Sequence, residues 1–110
     1  MRTRRLPNYD AVCFHAQQVA EKYLKAFLQQ RGLAPPRTHS LIELLELCLP
    51  VDAAMETLRD SLVRLERYAV SYRYPGESAD REEARLAFRT AVGVRSFLHG
   101  KLGIRATYAR

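Results

Sequence analysis

The chain has 110 residues, enough for one domain and too few for two independent cores. With 47% hydrophobic, 27% charged and 9% aromatic residues it has the composition of a folded protein, which excludes disorder and low complexity over most of its length. Eighteen basic residues against twelve acidic ones give a net charge of +6, which points towards phosphate-bearing partners but, without a run of bases, does not decide for them.

Punctuation along the chain is sparse: Pro7, Gly32, Pro35-Pro36, Pro50, Pro75-Gly76 and Gly100. The segments between these marks have helical period and almost no alternation of apolar and polar residues. The first helix is predicted from about Asn8 or Asp10 to Arg31, with Gly32 as its stop. Val12, Ala16, Val19, Ala20, Tyr23 and Phe27 form its apolar stripe, widened by Cys13, Leu24 and Leu28. That arc is wide enough to need partners on two sides. His15, Gln18, Lys22, Lys25 and Gln29 line up on a polar face, where Glu21 and Lys25 make an i, i+4 ion pair.

Ser40 with Glu43 reads as a capping box for a short helix from Leu41 to Leu49. Asp52 then caps a third helix, about Ala53 to Tyr72, whose seam is Met55, Leu58, Leu62, Leu65, Ala69 and Tyr72. Ser78 or Asp80 starts the last helix, with Glu82 and Glu83 in its first turn. Its seam is Ala84, Ala87, Phe88, Ala91, Val94 and Leu98, and Gly100 or Gly103 ends it. The expected architecture is an all-α, up-and-down bundle of three long helices and one short one. The domain spans residues 10–103, between a short basic segment (1–9) and a C-terminal tail (104–110).

Chemistry-bearing residues are few. His15, His39 and His99 lie on separate segments without ligands at metal-binding spacing, so no metal site and no cofactor is expected. Cys13 and Cys48 sit in apolar stretches, as small buried hydrophobes of a reducing compartment do. The basic start, Met1 to Pro7, is not followed by the apolar stretch of a signal peptide, and no run approaches the about 20 apolar residues that span a bilayer. A cytoplasmic chain that engages no membrane is expected.

One stretch carries more information than its period. Phe14, Ala16-Gln17-Gln18, Ala20-Glu21-Lys22 and Leu24-Lys25-Ala26 resemble the signature helix of HEPN domains. Gly32, Pro35-Pro36 and Thr38-His39-Ser40-Leu41 follow where that family has a glycine, a proline loop and Thr-His before a Leu-rich helix. Tyr72-Arg73-Tyr74-Pro75-Gly76 resembles its Arg-Tyr-Pro element. The resemblance covers about residues 8–103, and it is the combination of motifs that makes it specific.

The resemblance implies a helical bundle that dimerises, binds nucleotide or RNA, and often stands beside a minimal nucleotidyltransferase in a toxin–antitoxin pair. Gln18, Lys22 and Lys25, His39, and Arg73 with Tyr74 are then the candidate nucleotide- or RNA-binding residues. In ribonuclease members, an Arg followed after four to six residues by a His does the catalysis, the cation holding phosphate and the imidazole moving the proton. Here only three residues separate Arg95 from His99, and seven separate Arg31 from His39. No catalytic residues are assigned, and a non-catalytic binding module is expected. The alternatives are a metal-independent ribonuclease toxin, using Arg95 with His99 or His39 with Arg73, and a purely structural helical dimerisation or protein-interaction module. Relatives of this type carry a full helix before the Gln-Gln helix. Either the chain's authentic start lies upstream, or a second copy covers the wide arc, and a homodimer through the first and last helices is expected.

Overall fold

The computed structural model describes residues 8–68 and 79–103. Helix α1 runs from Tyr9 to Gln30. The Asn8 side chain caps its start, accepting from the Ala11 backbone N–H at 3.0 Å. Gly32 ends it at φ +82°, a left-handed conformation that costs an L side chain energy. That turn lets the Leu33 and Gly32 N–H groups satisfy the carbonyls of Leu28 and Gln29.

Helix α2, Leu41–Cys48, starts at Ser40, whose hydroxyl accepts from the Glu43 N–H at 3.2 Å. The capping box is therefore half formed. The Glu43 carboxylate turns to the Thr38 hydroxyl, which donates to it at 2.8 Å. Next comes a 3-10 turn, Ala53–Leu58, and then helix α3, Arg59–Glu66. The segment predicted as one long third helix thus opens as a tighter coil. Asp52 caps it two residues on, at the Ala54 N–H, while its carbonyl accepts from the Met55 N–H in the i→i+3 pattern. Ala69 and Tyr72 of the predicted seam lie outside the described residues; Met55, Leu58, Leu62 and Leu65 are all buried.

Helix α4, Arg81–Leu102, is capped by Asp80, which accepts from the Glu83 N–H at 2.8 Å, and closes at Gly103 with φ +77°. All described elements are helical, as the all-α reading requires. Leu24, Phe27 and Leu28 of α1 meet Leu41, Leu44, Leu45 and Cys48 of α2, the α3 seam, and Ala87, Val94 and Leu98 of α4 in one core. Each fully buried Leu or Phe contributes about 1.5–3 kcal/mol of transfer free energy.

Helices α1 and α4 lie side by side and run parallel. Asp10 accepts from the Ala79 N–H at 2.7 Å at one end of the pair. At the other end the Gln30 amide donates to the Leu102 carbonyl at 2.9 Å. Helix α3 runs against both: the Tyr68 hydroxyl at its end donates to Glu83 at the start of α4. Tyr68 is a buried edge of the core, and burial followed by the Glu83 carboxylate pushes its hydroxyl pKa up.

Two apolar expectations are corrected. Phe88 is 60% exposed instead of lying in the α4 seam, and Val12 on the α1 stripe is 38% exposed. The α4 seam is the strict 3-4 series Ala84, Ala87, Ala91, Val94 and Leu98, and Phe88 stands about 100° round the helix from Ala87. Cys13 and Cys48 are buried thiols, and burial, with the nearby Asp52 charge, raises Cys48 to about 11. A thiol held protonated in this way is inert.

Candidate functional site

Period places Gln17, Glu21, Leu24 and Leu28 on one line of α1, at i, i+4, i+7 and i+11. All four are buried, so the stripe that faces α2 carries two polar side chains among its leucines. Both are satisfied. The Gln17 amide donates to the His39 carbonyl at 3.1 Å and accepts from the Gln18 amide at 2.8 Å. Glu21 is the hub: Oε2 accepts from Lys25 Nζ at 3.0 Å and from His39 Nδ1 at 3.0 Å, and Oε1 from Gln18 Nε2 at 3.3 Å.

Burial alone would raise the Glu21 carboxyl pKa. The hydrogen bonds and charges of Lys25 and His39 outweigh that burial and hold it below 4.5. The carboxylate in turn selects the His39 tautomer, because only a protonated Nδ1 donates to it. His39 keeps 76% of its side chain exposed against 7% for Glu21, which leaves the Nε2 edge of the ring towards solvent.

The Thr38-His39-Ser40 run is built to hold this ring in place. The Thr38 hydroxyl accepts from the Ser40 N–H at 3.1 Å, Ser40 caps α2, and the Leu41 N–H donates to Glu66 of α3 at 2.6 Å. A loop fixed by these three hydrogen bonds presents one imidazole beside the polar face of α1.

Of the predicted binding residues, the structure joins Gln18, Lys25 and His39 in one network through Glu21. Lys22 stands on the adjoining exposed face and makes no hydrogen bond or ion pair among the described residues. Arg73 and Tyr74 lie outside the described residues. Glu21 and Gln17 are the members that sequence reasoning missed. The predicted Glu21–Lys25 pair exists, but as a buried hub instead of a solvated pair. The signal was the shared register of Gln17 and Glu21 with Leu24 and Leu28.

Arg95 and His99 do not form an open catalytic pair. His99 Nε2 is engaged at 2.9 Å by the Tyr23 hydroxyl, the two rings lying 5.2 Å apart, while Arg95 is exposed. No group of three His, Cys, Asp or Glu side chains among the described residues is placed to hold a metal ion. No helix among them is long and apolar enough to cross a membrane.

The long polar-faced α1, the Thr-His loop and the short Leu-rich α2 reproduce the order of motifs quoted above. The family model of the HEPN domain matches residues 3–101, nearly the whole chain. The chain belongs to the HEPN domain family. No curated protein and no solved structure matches it significantly. In this HEPN domain the signature residues divide into two sets. Gln17 and Glu21 are buried and build the network, whereas Lys22 and the His39 ring are exposed.

Proposed function

We propose that this HEPN domain is a non-catalytic nucleotide- or RNA-binding module, acting beside a nucleotidyltransferase partner in a toxin–antitoxin-like pair. The observation that carries the reading is the contrast between Lys22 and Lys25. Lys25 is committed to the Glu21 carboxylate, while the Lys22 ammonium has no ion-pair partner among the described residues. Lys22 directly follows Glu21, which holds the exposed His39 imidazole, and Arg37, in the loop just before His39, is exposed as well. Two exposed cations, with an imidazole whose Nδ1 is held by Glu21 and whose other edge is exposed, fit a phosphate chain better than a neutral ligand. Family membership supports the same class of ligand.

Anisotropy of a labelled single-stranded RNA, measured across a potassium chloride series, tests the reading. Lys22→Ala should weaken binding and flatten the salt dependence by about 0.7 in log–log slope, the value for one lost phosphate contact. Lys25→Ala should change that slope less, because it frees the Glu21 charge as it removes a cation. An unaltered affinity and slope in Lys22→Ala would remove this face from the ligand site.

A further inference from the structure

The other flank of α1 holds a groove of about 300 Å³ between α1 and α4. Its walls are Val12 and Val19 from α1 and Phe88 and Val92 from α4. Ala16 and Ala91 make its floor, and side chains that small let a third helix approach both backbones closely. Phe88 is 60% exposed, Val92 39% and Val12 38%. Water is a poor neighbour for so continuous a strip of large apolar surface, which marks it as an interaction surface.

The rim is cationic. His15 edges the groove on α1 and Arg95 on α4. Arg85 precedes Phe88 by three residues and Val92 by seven, so it lies on the same face of α4. Neither Arg85 nor Arg95 makes an ion pair or hydrogen bond among the described residues. Three of the four acids of the two helices are engaged elsewhere, and the fourth, Glu82, flanks Arg85 on the side away from Phe88. Asp10 accepts from Ala79, Glu21 holds the His39 network, Glu83 accepts from Tyr68, and Glu82 stands about 120° round α4 from Phe88.

We propose that the α1–α4 groove is the docking site of an acidic amphipathic helix from a partner protein. The lining runs seven residues along each helix, Val12 to Val19 and Phe88 to Arg95, about 10 Å, so two to three turns of the partner fill the groove. Its apolar residues at i, i+3 or i+4, and i+7 sit on the alanine floor, and flanking carboxylates meet Arg85, Arg95 and His15. A second copy of the chain matches the shape less well in charge. It would set Arg85, Arg95 and His15 against their own images, with no carboxylate between them. Single-stranded RNA fits less well too, since apart from Phe88 and the His15 ring at the rim the lining is aliphatic, save for Arg95.

The test uses the full chain and a fluorescein-labelled helical peptide of fourteen residues, with leucines at i, i+3, i+7 and i+10 and glutamates flanking them. A twin peptide carries lysines in place of the glutamates. The glutamate peptide should bind, the lysine peptide should not, and added sodium chloride should weaken the complex. Val92→Asp should abolish binding while leaving the circular-dichroism melt in place, since Val92 is exposed. Arg95→Glu should weaken the glutamate peptide at least tenfold and admit the lysine peptide. Three results overturn the proposal: no binding, or equal binding of both peptides; a sedimentation profile in which the chain is a dimer and Val92→Asp a monomer, which gives the groove to a second copy; or loss of RNA affinity in Val92→Asp, which gives it to the nucleic acid.

Discussion

On its flank towards α2, α1 buries Gln17 and Glu21, whereas on its flank towards α4 it leaves Val12 exposed beside Phe88 and Val92. One helix thus hides polar groups on one side and shows apolar ones on the other. The two departures have different physical grounds. Burying an amide and a carboxylate is tolerable because nearly every donor and acceptor finds a partner within the network. Leaving three large side chains wet is a standing cost that the isolated chain does not recover. Internal satisfaction marks the first flank as a finished structure that presents His39. The unfinished second flank is a surface that waits for something.

The largest effect that separates the flanks is expected from Glu21→Ala. Its loss leaves Lys25, Gln18 and His39 without their shared acceptor and unpins the Thr-His loop. Stability should fall by about 2–3 kcal/mol in urea unfolding, less than for a fully enclosed pair because Lys25 and His39 can rehydrate. A loss under about 0.5 kcal/mol would mean that the hub does not organise the fold.

A smaller effect comes from acid. The folded chain holds the Glu21 carboxyl below 4.5, so the unfolded chain takes up that proton first as the pH falls. The stability Glu21 supplies is complete above about pH 4.5 and is lost as the pH drops through its lowered folded value. Glu21→Gln should therefore show a shallower loss of stability between pH 5 and pH 3 than the parent chain, in melts followed by circular dichroism. Parallel profiles would place the acid sensitivity on other carboxylates, such as Asp52, which hydrogen bonding to Lys101 holds low.

The smallest effect belongs to the open flank. Phe88→Ser removes the most exposed aromatic ring among the described residues and should change stability by no more than about 0.5 kcal/mol. Solubility at high concentration should rise. A loss of 2 kcal/mol or more would show that Phe88 belongs to the core after all.

Most of the framework was legible in the sequence because caps and stops are local chemistry. Asn8, Ser40, Asp52, Asp80, Gly32 and Gly103 act within three or four residues of their own positions. The strict seams of α3 and α4 were legible for the same reason, since period alone fixes a face. What escaped depends on contacts distant in sequence. That Glu21 is buried follows from the approach of His39, eighteen residues on, and not from its own neighbours. Phe88 was misplaced because its apolar character was allowed to outvote its register. The 3-10 opening before α3 was hidden because nothing in Ala53–Leu58 distinguishes i→i+3 from i→i+4 bonding until Asp52 takes both its cap and its ion pair with Lys101.

The parallel course of α1 and α4 has an electrical consequence. Antiparallel neighbours cancel their peptide dipoles, but these two add, gathering about half a negative charge per helix at the end where Gln30 and Leu102 meet. Arg31 and Lys101 stand at that end, with the Arg31 guanidinium donating to the Lys101 carbonyl at 3.2 Å. At the opposite end Asp10, Glu82 and Glu83 occupy the first turns. Charges of the sign that opposes each pole thus stand at both ends, although Lys101 also pairs with Asp52. Lys22, Arg85 and Arg95 stand on the flanks between the two ends, exposed and without an ion pair among the described residues. The phosphate-bearing ligand proposed above would meet this molecule side-on.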